Sequence, residues 1–135
     1  TGATLEGINL TAGDEIGIFD GDNCVGVSVL TGEIAGYIDP VAGTDDPGTG
    51  VVDGFIAGHD ISFRIWDASE EKEIAVVNAT FGDQCGGPCP STFSSQGTTQ
   101  VSIDGLSSIG QTIDLAAGWN IMSFYRNCSK ILITC

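Results

Sequence analysis

Positive charge is scarce in this chain: Arg64, Lys72, Arg126 and Lys130 face 18 aspartates and glutamates, for a formal net charge of −14 over 135 residues. Partners that are nucleic acid or anionic lipid require a basic patch to displace counterions from phosphate, so the charge balance excludes both. Long apolar runs are missing as well. No stretch approaches the roughly 18 consecutive apolar residues of a membrane-spanning helix, and membrane insertion is not expected. Histidine occurs once, at His59, in a turn beside Asp60 and without a nucleophile near it in sequence. It reads as a surface residue. The chain also has no Gly-x-Ser-x-Gly elbow, no phosphate-cradling glycine loop with lysine and no His-Glu-x-x-His motif. A carboxylate pair working on a glycoside would need a deep cleft that so short a chain has little material to build. The expectation is a domain that is not an enzyme and has no catalytic residues.

Helical periodicity is the other absence, since no segment sustains it for ten residues. Instead, 20 glycines punctuate short stretches that alternate apolar and polar residues, the pattern of strands with one buried face. The clearest is Ile61-Ser-Phe-Arg-Ile-Trp-Asp67, which places Ile61, Phe63 and Ile65 on one side and Ser62, Arg64 and Trp66 on the other. Further strands are expected over 15–19, 24–30, 73–81, 99–103, 111–115, 120–125 and 130–134, with a polar hairpin loop over 67–73. About eight short strands predict an all-β fold, an antiparallel β-sandwich of Ig-like or jelly-roll-like type. The domain is expected over 1–104. Residues 105–135, beginning at the joint 105–110, would supply terminal strands that complete the sandwich or start a following module.

One frame recurs. Ala12-Gly-Asp-Glu-Ile16, Ala57-Gly-His-Asp-Ile61 and Ala117-Gly-Trp-Asn-Ile121 share Ala-Gly-x-x-Ile, each followed by an aromatic residue at Phe19, Phe63 or Phe124. Each frame is expected to make a tight glycine turn that launches a core strand. The irregular spacing between frames indicates equivalent hairpins, not a solenoid.

Five cysteines in a chain of this length fit an oxidising compartment and favour a secreted or cell-surface location. Any secretion signal would have been removed or would lie upstream, because Thr1 is not followed by a charged and then apolar leader. Cys85-Gly-Gly-Pro-Cys89 has the flexible turn that a short disulfide needs, and Cys128 and Cys135 close if the chain between them turns back. Other pairings, and a four-cysteine zinc site, are alternatives to this reading. Cys24, in the apolar run to Val29, reads as a small buried residue.

Several of these phrases occur in a recognisable order. Ala12-Gly-Asp-Glu-Ile-Gly-Ile-Phe-Asp-Gly-Asp-Asn-Cys-Val-Gly26, then Asp45-Asp46-Pro-Gly, Asp53-Gly-Phe55 and Ile61-Ser-Phe-Arg-Ile-Trp-Asp67, resembles an extracellular domain of large multidomain secreted bacterial proteins, including type IX-secreted ones. The resemblance covers roughly residues 5–81 and implies a β-sandwich displayed at a surface. Family knowledge assigns that domain no ligand. Residues 82–135, with the Cys85–Cys89 loop and the tail from Arg126, depart from the pattern.

Two acidic loops are candidate metal sites: Asp20, Asp22 and Asn23 in the first, Asp45, Asp46 and Asp53 in the second. Clustered carboxylates with asparagine and backbone carbonyls are hard-oxygen ligands suited to calcium, and a bound cation would relieve their repulsion. The spacing is not that of an EF-hand, because Cys24 and Thr31 would fall where that loop requires ligands. The alternative is that Asp-Gly-Asp-Asn makes a hairpin turn and nothing more. Trp66, Trp119 and Tyr37 would stack on sugar rings if exposed together, although tryptophans in strand patterns more often pack in the interior.

Two functions follow as expectations. The first is a non-catalytic structural or adhesive unit of an extracellular assembly, touching copies of itself or neighbouring modules, self-assembling by strand addition into filaments or layers and stabilised by calcium. The second is a carbohydrate-binding module that tethers a secreted enzyme to polysaccharide.

Overall fold

The computed structural model describes residues 2–106, and among these it contains eight strands and no helix. In chain order they are β1 (Ala3–Leu5), β2 (Ile8–Asn9), β3 (Glu15–Asp20), β4 (Asn23–Val29), β5 (Ile61–Asp67), β6 (Lys72–Ile74), β7 (Val77–Phe81) and β8 (Val101–Gly105). Two four-stranded sheets result, ordered β2-β1-β8-β7 and β4-β3-β5-β6. Every pairing is antiparallel except that of β1 with β8. The alternation in the sequence thus builds the all-β sandwich it predicts. The strands expected over 111–115, 120–125 and 130–134 lie outside the described residues.

The β3–β5 pair anchors the core. Ile16 and Ile18 oppose Ile65 and Phe63 across the ladder, and all four face the other sheet, where Ala3 and Ile103 meet them. Ile65 is wholly buried. Phe19 and Trp66 alternate to the opposite face and form a smaller buried cluster with Cys24 and Ala68. Between Ile18 and Phe19 the register with β4 slips, because Ile18 opposes Gly26 while Phe19 opposes Cys24. The extra residue of this bulge is Val25, which joins the main core while Cys24 stays on the outer side.

Both described copies of the repeated frame are built alike. Gly13 and Gly58 take φ of 96° and 92°, a left-handed turn that costs glycine little, and each leads into one strand of the central pair. In the first copy Asp14 is buried and accepts hydrogen bonds from Thr11 N at 2.7 Å and Ala68 N at 2.9 Å. That carboxylate ties the start of β3 to the β5–β6 turn. The same turn is closed by Asp67, which accepts from Ser69 N and Oγ and from Glu70 N, as the expected polar hairpin loop requires.

Three features differ from expectation. The strand predicted over 73–81 is two strands, β6 in one sheet and β7 in the other. Ile74 faces the core from one sheet and Val77 from the other, and a continuous strand could serve only one of them. The hairpin of β1 and β2 was not expected from the sequence. Its turn, Glu6-Gly7, has φ of 52° and 78°, and glutamate is not among the residues that usually mark such a turn. Gly105, expected to begin a joint, ends β8 packed against side chains of both sheets. A Cβ there would lie 3.0 Å from Ile65 Cδ1, 3.1 Å from Leu5 Cδ1 and 3.2 Å from Ile74 Cγ2. Gly105→Ala is therefore expected to overpack the sandwich and destabilise it by roughly 1–3 kcal/mol. The urea unfolding midpoint measures this, and an unchanged midpoint would show that the sheets can spread at no cost.

Candidate functional site

The loops gather at the end of the sandwich where β3 finishes and β5 starts. The β3–β4 connection is a two-residue hairpin turn, Gly21-Asp22, with Gly21 at φ 60°. Asn23 Nδ2 donates to Gly54 O at 3.2 Å, joining this turn to the long β4–β5 loop. The β7–β8 loop, residues 82–100, lies along the entry to β5: Phe93 N donates to His59 O, Gly58 N to Phe93 O and Ile61 N to Ser91 O. Under these bonds the rings of Phe55 and Phe93 stack with centroids 4.7 Å apart.

The β4–β5 loop is fixed by backbone contacts, despite its length. Gly43 N donates to Val25 O at 2.7 Å, Phe55 N to Gly43 O at 2.8 Å and Asp45 N to Phe55 O at 3.0 Å. Two glycines allow the approach. A Cβ on Gly26 would lie 2.5 Å from the Val41 carbonyl oxygen, and one on Gly54 would overlap the backbone of Thr44 and Asp45. The loop nonetheless turns apolar side chains outward, with Tyr37 68%, Val41 81%, Val51 67% and Val52 57% exposed.

The structure brings the two acidic loops beside each other but uses their carboxylates separately. Asp20 accepts from Ile56 N at 2.8 Å and meets His59 Nδ1 at 2.9 Å. Asp22 pairs with Arg64 at 3.0 Å, and the same guanidinium lies 4.2 Å over the Phe19 ring. In the second loop Asp45 Oδ1 accepts from Asp53 N, Asp46 Oδ1 from Gly48 N, and Asp53 Oδ1 from Asp46 N at a longer 3.4 Å. Among the described residues no three acidic, histidine or cysteine side chains converge as metal ligands.

Of the aromatic candidates, Trp66 is 4% exposed and packs with Phe19, leaving no open ring face for a ligand, whereas Tyr37 is exposed. Trp119 lies outside the described residues. Cys85 and Cys89 form the expected disulfide. Cys24 is half-buried and also disulfide-bonded, which corrects the reading of it as a lone buried thiol. Cys128 and Cys135 lie outside the described residues.

Sequence reasoning missed a cleft of about 1000 Å³ between the sheets at this loop end. Its floor is the inner face of β3, β5 and β8, and its walls are the segment around Tyr37 and the segment from Thr92 to Thr99. The signal that could have revealed it is the run of ten residues, 91–100, that carries six hydroxyls and two amides but no charge in so acidic a chain. No family model matches the chain, and neither the curated proteins nor the solved structures contain a match to it.

Two carboxylates couple this architecture to pH. The Ile56 N–H holds the Asp20 carboxyl below its ordinary value, against an opposing effect of partial burial, and the His59 ring adds to the lowering. At the other end of the molecule, the Thr4 hydroxyl and then the Gly7 N–H hold Asp104 below its ordinary value. A carboxylate depressed in the folded state contributes stability above its unfolded value, and that stability is lost as pH falls through the folded value. Both contributions are expected to be intact above pH 3.8 and to disappear below it. Thermal melts of Asp20→Asn and Asp104→Asn should thus lie below the wild type at neutral pH and converge on it in acid. A constant gap would contradict the assignment.

Proposed function

We propose that this domain is a non-catalytic structural or adhesive unit of a secreted or cell-surface assembly, which makes its contacts through the β4–β5 loop. The carrying observation is that this loop holds exposed Tyr37, Val41, Val51 and Val52 on a backbone fixed to β4. Exposed apolar residues on a pre-ordered segment are suited to protein contact, because little conformational entropy is lost when a partner covers them. Disulfide chemistry supports this setting, with Cys85 joined to Cys89 and Cys24 also bonded. The resemblance of residues 5–81 to a domain of large secreted bacterial proteins supports the same setting. The partner in this reading is another copy of the chain or a neighbouring extracellular module.

Light scattering on the purified protein is expected to show mass rising with concentration, and Val41→Asp combined with Val51→Asp should return it to the monomer. A monomer at every concentration, with and without reductant, would refute the reading. Calcium is the cation whose preference for hard oxygens matches Asp20, Asp22, Asn23, Asp45, Asp46 and Asp53. If it stabilises the assembly it must compete with the amide hydrogen bonds these carboxylates accept. Calcium should then raise the melting temperature relative to chelator, and identical melts would remove it from the account.

A further inference from the structure

The cleft differs from the rest of the surface in charge. Although 16% of the chain's residues are charged, among the described residues a single charged side chain, Asp39, lines the cleft, and no lysine, arginine or histidine does. One wall carries the hydroxyl and amide groups of Thr92, Ser94, Ser95, Gln96 and Thr98, while the floor is formed by Ile16, Ile18 and Phe63 with the Phe55–Phe93 stack. Tyr37 stands at the opposite wall with most of its surface open to solvent. We propose that this cleft is a binding site for a neutral, hydroxyl-rich glycan.

Each feature of the lining bears on the choice of ligand. An anionic ligand would meet no counter-charge from the described residues of the cleft, and the repulsion of a −14 protein around it. A cationic one would find a single carboxylate among the described lining residues, Asp39. A wholly apolar ligand would strip water from the hydroxyls and amides of the wall without replacing its hydrogen bonds. A peptide adding as a strand needs an open sheet edge, and the floor offers none: β3, β5 and β8 each have a paired strand on both sides. A sugar chain suits the accessible walls, since its hydroxyls bond the polar wall and its C–H faces lie on exposed Tyr37, while the floor residues are buried and only bound the cleft. The volume, at the upper end of the roughly 300–1,000 Å³ usual for ligand pockets, accommodates more than one sugar ring.

The cleft shares Tyr37 and Val41 with the surface proposed for self-association, so Thr98→Ala, on the cleft wall alone, and Val51→Asp, on the loop outside the cleft, separate the failure of one reading from the failure of the other. The test is calorimetric titration of the intact protein with neutral oligosaccharides of glucose, xylose and mannose, with oligogalacturonate, chitosan oligomers and a fatty acid as contrasts. At least one neutral series is expected to bind. Tyr37→Ala should weaken that binding about tenfold through loss of a stacking surface. Thr98→Ala should weaken it several-fold, on the order of one hydrogen bond. Ile8→Ser, on the distant β2 strand, should leave it unchanged and reports on folding. Saturable binding of the charged glycans or the fatty acid in preference to the neutral series would overturn the proposal. So would neutral binding that Tyr37→Ala and Thr98→Ala leave intact. Light scattering on the same samples separates loss of glycan binding from loss of assembly.

Discussion

Gly43 N donates to Val25 O at 2.7 Å, where the long β4–β5 loop comes down against the edge of the second sheet. From that bond the loop pairs back on itself through Phe55 and Asp45, which seats Phe55 against Phe93 and carries the chain into β5. The contact requires glycine at Gly26 and Gly54, because any side chain there would occupy the space of a neighbouring backbone. With the bond in place, Val41 and Val51 are displayed outward and Tyr37 stands at the wall of the cleft. Both proposed activities use a single piece of chain whose geometry is set by backbone packing.

The charge distribution follows the same logic. Many of the acids accept backbone amides and so shape turns: Asp14 before β3, Asp67 at the end of β5, Asp46 and Asp53 in the β4–β5 loop. Exposed ion pairs such as Asp22 with Arg64 add little stability, typically about 0–1 kcal/mol. Hydrophobic contact between the sheets, centred on Ile65, supplies the larger part.

Much of this was legible in the sequence. Period-two alternation located β3, β4, β5 and β8 to within two residues at each end, because each has one face in the core and the other outside it. The Ala-Gly frames announced the turns before β3 and β5, since a left-handed φ selects glycine. Strands β1 and β2 were not legible. They are short, and Glu6 occupies a backbone position that its chemistry does not advertise. The division of 73–81 between two sheets was hidden because alternation reports burial and not which sheet is buried. For the acidic loops, sequence named the residues and the structure gave each carboxylate its own donor. The cleft assembles residues from opposite ends of the described chain, Ala3 and Ile103 among them, and no local pattern contains that information.

The central claim is that the β4–β5 loop is held rigid while its apolar side chains remain exposed. Amide hydrogen exchange resolved by residue tests it most directly, at Gly43, Asp45 and Phe55 against Val51 and Val52. Protection of the first three comparable to that of β3 and β5, with rapid exchange at the two valines, is the predicted result. Rapid exchange at Gly43 and Phe55 would show a loop that is not anchored, and would contradict the account.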